Sequence, residues 1–600
     1  MGPAMMGPVA TGDGFYRLER LDRAVVAVRD GNGVFVSFRM HGYEYDPERP
    51  ERVSYELLRD GTKLVDLTDS TNYLDASGTM TSKYSVRAVI DGTPGELSAE
   101  VSVWAEQYLR VALDAPASGY SANDASVADL DGDGQYEIIL KWDPDNAKDN
   151  SQAGVTGSVF LDALKLNGER MWRVDLGPNI RAGAHYTQFI VYDFDHDGSA
   201  ELAVKTAPGS KGGDGKFLAL GPAASDDDSA TFRNSEGYVL SGPEYLTVFS
   251  GMTGHELATV DYDVPRGRVA DWGDDYGNRV DRFLATAAYL DDSGLASFVM
   301  ARGYYTRTTL TAWSFREGKL SQLWKFDSNQ SGKDSSGKSF TGQGAHSLSV
   351  ANADDDPQQE IIYGAMTVDH DGKGKCSTGF NHGDALHVSD LVPGRAGLEV
   401  FMPNEDGSRP AYYVRDAGNC EIVFQGPMNG EDTGRAAAGD VSPDNPGAEV
   451  WASGGTGLLD AASGAQRGAA PPSINFLIWW DGDESRELED KTVIQKYGGQ
   501  TLLSCGDCAS NNGTKATPAL VGDIMGDWRE EVIWREADNS ALRIYTTKDL
   551  TKRRIYTLMH DAQYRIAISW QNVAYNQPPH PSFHIGAGMM PPPKPNMRTR

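Results

Sequence analysis

Residues 129–142 read DLDGDGQYEIILKW. Asp129, Asp131 and Asp133 stand at alternate positions, Gly134 follows, and Glu137 opens an apolar run. Three carboxylates this close repel one another unless a cation joins them. Ca²⁺ is a hard ion that takes about six to eight oxygens, and a glycine permits the sharp turn that wraps them. An EF-hand begins the same way, but its Glu falls at position 12 and a helix follows. Here Glu137 falls at position 9 and IILKW is strand-like. The stretch therefore reads as a calcium loop leading into a strand, not as an EF-hand.

The pattern recurs. DFDHDGSAELAVKT begins at Asp193, NADDDPQQEIIYGA at Asn352, DLVPGRAGLEVFM at Asp390, DVSPDNPGAEVWA at Asp440 and DIMGDWREEVIWR at Asp523. A further copy, YLDDSGLASFVMA from Tyr289, has Ser297 where the acid belongs. The candidate ligands are Asp129, Asp131, Asp133 and Glu137, then Asp193, Asp195, Asp197 and Glu201. Asn352, Asp354, Asp356 and Glu360 follow, then Asp390 with Glu399, Asp440 with Asp444 and Glu449, and Asp523 with Asp527 and Glu531. Short units of this kind cannot bury a core alone and must stack. Their irregular spacing suits a β-propeller with loops grafted between strands, and seven copies imply seven or eight blades. ALRIYTTKDLTKRRIYTLMHD, from Ala541, reads as two more strands that complete or close the ring.

Composition agrees with an all-β chain. There are 67 glycines among 600 residues, aromatics make up 10 %, and no long amphipathic helical pattern is present. The net charge of −30 argues against a nucleic-acid partner, which requires a basic surface. No apolar run approaches the length of a membrane span. Residues 1–14 lack the features of a leader and read as a vector-derived or trimmed start. Residues 15–105 lack Asp loops and alternate apolar with polar residues, as in a small fibronectin type III-like β-sandwich. The repeat region runs over 106–588, and the Pro-rich tail 589–600 reads as disordered linker. DVPRGRVADWGDDYGNRVDRF, from Asp263, has the clustered charges of a surface lid. Cys505 and Cys508 could form a zinc half-site, a redox pair or a small disulfide; with no further Cys or His ligands nearby and no βαβ context, a loop-stapling disulfide is the favoured reading, while Cys376 and Cys420 either pair or stay free. Four cysteines and calcium loops together suit an exported protein.

Several histidines precede the acid loops: His185, His346, His382 and His387. His346 and His382 suit either metal ligation or the orientation of carboxylates through the second ring nitrogen.

The longer motifs carry a resemblance. YSANDASVADLDGDGQYEIILKWDPDNAKDNSQAGVTG, IRAGAHYTQFIVYDFDHDGSAELAVKTAPG, GYVLSGPEYLTVFSGMTG, NHGDALHVSDL and NNGTKATPALVGDIMGDWREEVIWR are similar to the rhamnogalacturonan lyases of polysaccharide lyase family 11. The resemblance spans roughly residues 15–588. It implies an eight-bladed propeller with several Ca²⁺ ions and a substrate of alternating L-rhamnose and D-galacturonic acid, rhamnogalacturonan I. It also implies β-elimination, in which a base removes the C5 proton of a uronate and O4 departs. That chemistry needs the neighbouring carboxylate neutralised, a base at C5 and a proton for the leaving oxygen. The resemblance points to Lys515, Arg435 and Tyr575 for these tasks. Asn123, Asp143, Asn512, Gly513 and Thr514 would contact the sugar or its calcium, and Tyr575 shares its Pro-rich loop with Asn576. By residue type Asp143 is equally a structural metal ligand. The expected protein is a secreted, monomeric endolyase. Its rivals are an exo-acting relative and a non-catalytic calcium propeller for glycan binding or adhesion.

Overall fold

A computed structural model describes residues 14–354, 356–572 and 575–600. The start expected over residues 1–14 lies outside the described residues except for Gly14.

The N-terminal region forms two antiparallel sheets. One contains Val26–Asp30, Gly33–Ser37 and Asn72–Asp75; the other is built on Val53–Arg59, Thr62–Leu67 and Lys83–Ile90. Their alternating apolar residues, among them Val34, Val36, Tyr55, Leu57, Tyr84 and Val86, share one core. Period-2 alternation puts these side chains on one face of each strand.

Eight further sheets follow. Seven are antiparallel runs of four strands consecutive in sequence, opening at Tyr120, Phe189, Phe283, Leu348, His387, Ala436 and Phe476. The eighth combines Cys508–Ala509, Leu520–Gly522, Glu531–Glu536 and Ala541–Tyr545 with Tyr108–Ala112 from the far end of the region. The chain thus closes its last sheet with its first strand. The first strands at Tyr120, Phe189, Phe283, Leu348 and His387 touch in succession, Glu399–Pro403 touches Ala436–Gly439, Ala436–Gly439 touches Phe476–Ile478, and Leu520–Gly522 returns to Tyr120–Ala128.

The recurring acid has one place in every copy. The second strand of each sheet opens at Glu137, Glu201, Ser297, Glu360, Glu399, Glu449, Glu487 or Glu531. Each glutamate turns back on its own loop and accepts backbone N–H groups. Glu137 accepts from Leu130 at 2.8 Å, Glu201 from Phe194 at 2.9 Å and Glu360 from Ala353 at 2.7 Å. Glu449 accepts from Val441 at 3.0 Å, Glu487 from Trp480 at 2.8 Å and Glu531 from Ile524 at 3.0 Å. Glu399 takes two, from Leu391 and Val392. A hydrogen bond to a charged acceptor contributes about 1.5–3 kcal/mol. The repeated glutamate is therefore a loop clamp, whatever else it binds.

Glu487 belongs to a copy the sequence reading passed over, WDGDESRELED from Trp480. Phe476–Ser504 forms the remaining sheet. Residues 541–561 do not add a sheet of their own: Ala541–Tyr545 joins the closing sheet, and 551–557 carry no strand.

The helix Ala562–Trp570 is buried on every side. It touches the first strands Tyr120–Ala128, Phe189–Tyr192, Phe283–Ala288, Leu348–Ala351 and Leu520–Gly522. Its Arg565 forms a buried ion pair with Glu19 of the N-terminal segment. The tail also differs from expectation. Met597–Thr599 pairs in parallel with Tyr16–Leu18, and Met597 is buried, so this end of the chain is a docked strand. Its prolines stand before the strand, where they remove no ladder hydrogen bond. Two disulfides are present, Cys376–Cys420 and Cys505–Cys508.

Candidate active site and cation sites

The Asp loops adopt the wrapped geometry expected of them. Asp129 accepts from the backbone of Gly132 and Gly134 at 2.7 and 2.9 Å; Asp193 accepts from Asp197 and Gly198 at 3.1 and 3.0 Å. Gly134 has φ +87°, and a Cβ there would lie 2.9 Å from the Asp22 nitrogen. Glycine is therefore required where the loop meets the N-terminal segment.

The loops differ in their counter-charges. Ligand atoms of Asp193, Asp195, Asp197 and Glu201 converge, as do those of Asp129, Asp131 and Glu137, and of Asp356, Glu360 and His370. In the first group Glu201 is pushed up to about 10 and Asp193 to about 7. Burial is the main cause, and neighbouring carboxylates add to it. Elsewhere the protein supplies its own cation. Lys165 lies 2.7 Å from Asp131, Lys375 2.5 Å from Asp354, and Arg395 3.0 Å from Glu399. Lys496 lies 2.5 Å from Asp481 and 2.7 Å from Asp483.

Buried oxygens without partners remain on Glu360, Asp390, Asp440 and Asp523. Asp527 departs from its expected role: Arg529 holds both its oxygens, at 2.9 and 2.8 Å. Asp444 is exposed, and Asp133 caps only Gln135. Asn352 donates its amide to the Asp356 carbonyl.

The expected catalytic residues meet on one aromatic ring. Lys515 Nζ lies 4.0 Å from the centroid of Tyr575, and the Arg435 guanidinium carbon lies 5.7 Å from it. His346 stacks on the same ring, with centroids 4.2 Å apart. Tyr575 N–H donates to the His346 carbonyl at 2.7 Å, which locks the two segments together.

His346, His382 and Asp384 bring one ligand atom each into a common cluster. His382 Nδ1 is 2.8 Å from the Gly344 carbonyl, and its Nε2 faces the cluster, 3.3 Å from a Glu405 oxygen and 4.0 Å from Asp384 but without a well-directed hydrogen bond. His346 carries Tyr304 Oη at 2.9 Å from Nδ1 and Tyr305 Oη at 3.1 Å from Nε2. Burial holds His346 well below the usual histidine range and His382 at about 3, so both rings are neutral. His185 lies beside His346 and 3.6 Å from Asp149. His387 is not part of this cluster; it pairs with His580.

Arg435 is the most informative group. It is 5 % exposed, yet its Nε and one Nη have no partner. Its other Nη reaches the Asn576 carbonyl at 3.4 Å. Burial lowers it to about 10. A buried guanidinium is costly without an anion. Lys515 is likewise lowered, first by burial and then by Arg435, against the opposing charge of Asp384. Burial pushes Tyr575 up to about 12.

Lys515 stands on the short turn Gly513–Lys515, entered through Asn512 at φ +58°. Asn512 Nδ2 donates to Asp124 at 2.9 Å, to Asn576 Oδ1 at 2.8 Å and to Thr517 at 2.9 Å. Asp124 is in turn 3.4 Å from Lys141, and both are fully buried. Burial disfavours the Lys141 ammonium, but Asp143 and Asp124 outweigh it and raise its pKa. Asn576 is thus buried scaffolding rather than an open sugar contact. Gly513 and Thr514 are exposed. Asn123 and Asp143 each keep one oxygen without a partner.

The sequence reading did not single out Asp384, Tyr304, Tyr305, Asp149 or Arg282. Asp384 had a local signal, two residues after His382 in NHGDALH. The stretch expected as a lid instead lines this site: Trp272 is buried, and Arg282 lies 5.5 Å from the Tyr305 ring.

The site thus sets a buried guanidinium with two unpartnered nitrogens and a half-buried lysine beside two neutral histidines. Residues 108–595 match the model of the C-terminal domain of rhamnogalacturonan lyase family 11, and residues 16–104 match that of the rhamnogalacturonan I lyase β-sheet domain. The chain belongs to this family. It is 53 % identical to the rhamnogalacturonan endolyase YesW of Bacillus subtilis (strain 168), over 99 % of this chain and 95 % of that one. It is 51 % identical to the rhamnogalacturonan exolyase YesX of the same organism, over 96 % and 97 %. The structure of a Bacillus licheniformis rhamnogalacturonan lyase, 54 % identical, superimposes with a TM-score of 0.92 and covers 98 % of this chain and 100 % of that one.

Proposed function

We propose that the protein is a secreted, calcium-dependent rhamnogalacturonan endolyase that cleaves rhamnogalacturonan I by β-elimination, acting as a monomer. The observation that carries this reading is the buried Arg435 with two partnerless nitrogens beside Lys515, both against Tyr575. Arg435 faces the uronate carboxylate and offsets the charge that would otherwise keep the C5 proton from leaving. Lys515 is the base: its lowered pKa raises the fraction of neutral amine able to accept that proton. Tyr575, held as a neutral phenol by its raised pKa, is placed to protonate the departing O4. Asn123, Asp143, Gly513 and Thr514 bind the sugar, and Asn512 fixes the turn.

His346, His382 and Asp384 converge, with Glu405 3.3 Å from His382 Nε2, and this mixed nitrogen and oxygen set would hold a divalent cation, calcium only if further oxygens complete its shell. Such an ion would add a second positive charge to the carboxylate subsite. The loops of Asp129, Asp193, Asp356, Asp390, Asp440 and Asp523 supply further oxygen sets for structural calcium. We read the eight sheets as the blades of an eight-bladed propeller plugged by the helix Ala562–Trp570, with the N-terminal sheets as a fibronectin type III-like sandwich. Two disulfides and no long apolar helix among the described residues support export. Endo action is the reading taken because the sequence of 425–451 shows no obvious insertion of the kind that would block one end of a cleft.

Incubation with rhamnogalacturonan I should raise absorbance near about 235 nm as unsaturated uronate ends form. Hydrolysis or binding alone would leave it flat. A steep fall in viscosity at low conversion would mark endo action; disaccharide beside intact polymer would mark exo action.

A further inference from the structure

The chain carries a net charge of −30, and cations near the site such as Arg282 and Arg302 sit on carboxylates. Arg279 does not. Among the described residues its guanidinium has no carboxylate partner, and it lies 5.8 Å from the centre of the Tyr305 ring. Tyr305 bonds His346 through its hydroxyl, so Arg279 is linked to Lys515 only through a chain of contacts: Tyr305, His346, Tyr575.

The loop that holds Arg279 is built for the purpose. The Asp274 carboxylate accepts the N–H groups of Tyr276, Gly277, Asn278 and Arg279 at 2.8–3.2 Å. Gly273 has φ +107°, and a Cβ there would lie 2.6 Å from an Arg279 Nη. Neighbouring Arg282 differs: its charge is answered by Asp149 at 3.3 Å. In the same Asp274-capped loop, three residues before Arg279, Tyr276 stands 38 % exposed, its ring 6.2 Å from that of Tyr238. A half-buried arginine held over an aromatic ring, without an internal anion, suits the planar bidentate capture of a carboxylate. An exposed tyrosine in the same loop offers an apolar face.

We propose that Arg279 and Tyr276 form a remote subsite that binds a second uronate of the same polymer, away from the one at Arg435. Arg279 takes the carboxylate, and Tyr276 covers the less polar face of the adjoining deoxy sugar. The proposal rests on the lyase reading, because it uses a backbone with a carboxylate on alternate sugars. It makes Arg279 a determinant of chain-length preference rather than a catalytic residue.

The test is steady-state kinetics of Arg279→Gln and Arg279→Lys on rhamnogalacturonan I and on purified rhamnogalacturonan oligosaccharides of increasing length. For Arg279→Gln, KM on the polymer should rise about tenfold with kcat little changed, as for loss of one charge-assisted contact made equally in ground and transition states. On the shortest oligosaccharide that is cleaved, KM should not move. Arg279→Lys should recover part of the polymer KM. An unchanged polymer KM, or the same loss at every length, overturns the subsite. So does a fall in kcat at all lengths with a lowered melting temperature, since Arg279 would then only support Tyr305. An inactive wild-type enzyme would overturn the lyase reading and the subsite with it.

Discussion

Asp124→Asn should separate the scaffold of Lys515 from its chemistry. Asp124 and Lys141 are both about 1 % exposed and 3.4 Å apart. Removing one charge of a buried pair leaves the other uncompensated, at a cost of about 3–5 kcal/mol. Asp143 lies near enough to favour the Lys141 ammonium, so the lower end, about 3 kcal/mol, applies here. The asparagine keeps an oxygen for Asn512 Nδ2, so the turn carrying Lys515 should hold its conformation. Urea unfolding followed by tryptophan fluorescence should show the midpoint move down, with KM for rhamnogalacturonan I nearly unchanged. Asp124→Asn combined with Lys141→Met should recover much of the stability, because an apolar replacement of both partners is often neutral. A single variant with unchanged stability, or a double variant no more stable than the single, would refute the reasoning.

Three shorter expectations follow from the charges. Chelation should lower the melting temperature more at pH 8 than at pH 5. Asp193, raised to about 7, holds a stabilising proton in the ion-free loop at pH 5 and loses it by pH 8, while Glu201 follows only near about 10, so calcium must replace the Asp193 proton in this window. Equal chelator effects at both pH values in differential scanning calorimetry would count against this loop as a cation site. Lys496→Met leaves Asp481, Asp483 and Glu487 without their internal cation. That variant should lose thermal stability and regain part of it with added calcium, beyond any response of the parent. Activity should fall on the acid side as Lys515 protonates, and a kcat that is flat from pH 6 to pH 10, measured by absorbance, would argue against an amine base.

Much of the architecture was legible because one residue repeats in one role. Glu137 and its counterparts each open a second strand and clamp the loop before it, so a short motif reports a whole sheet. The copy around Glu487 was missed because its loop starts inside the apolar WW pair rather than after a clear strand. The helix Ala562–Trp570 was illegible for a different reason. It is surrounded on all sides, and buried Gln563, Arg565 and Ser569 meet partners far away in sequence, so it carries no amphipathic stripe. Lys515, Arg435 and Tyr575 were reachable only through the resemblance, since none has a local motif. Arg279 and Arg282 reach the site from the stretch read as a surface lid, and Tyr304 and Tyr305 from the turn between Ser297–Arg302 and Thr309–Arg316, which carries no motif. Asp527 was misread because alternation alone does not show that Arg529 closes on it.

The most direct test of the account is the rate of unsaturated uronate formation by Lys515→Ala on rhamnogalacturonan I, read at about 235 nm with calcium content and melting temperature measured on the same sample. The account predicts a loss of kcat of about 10²–10⁴-fold with folding and bound calcium intact. A variant that retains near wild-type kcat would contradict it.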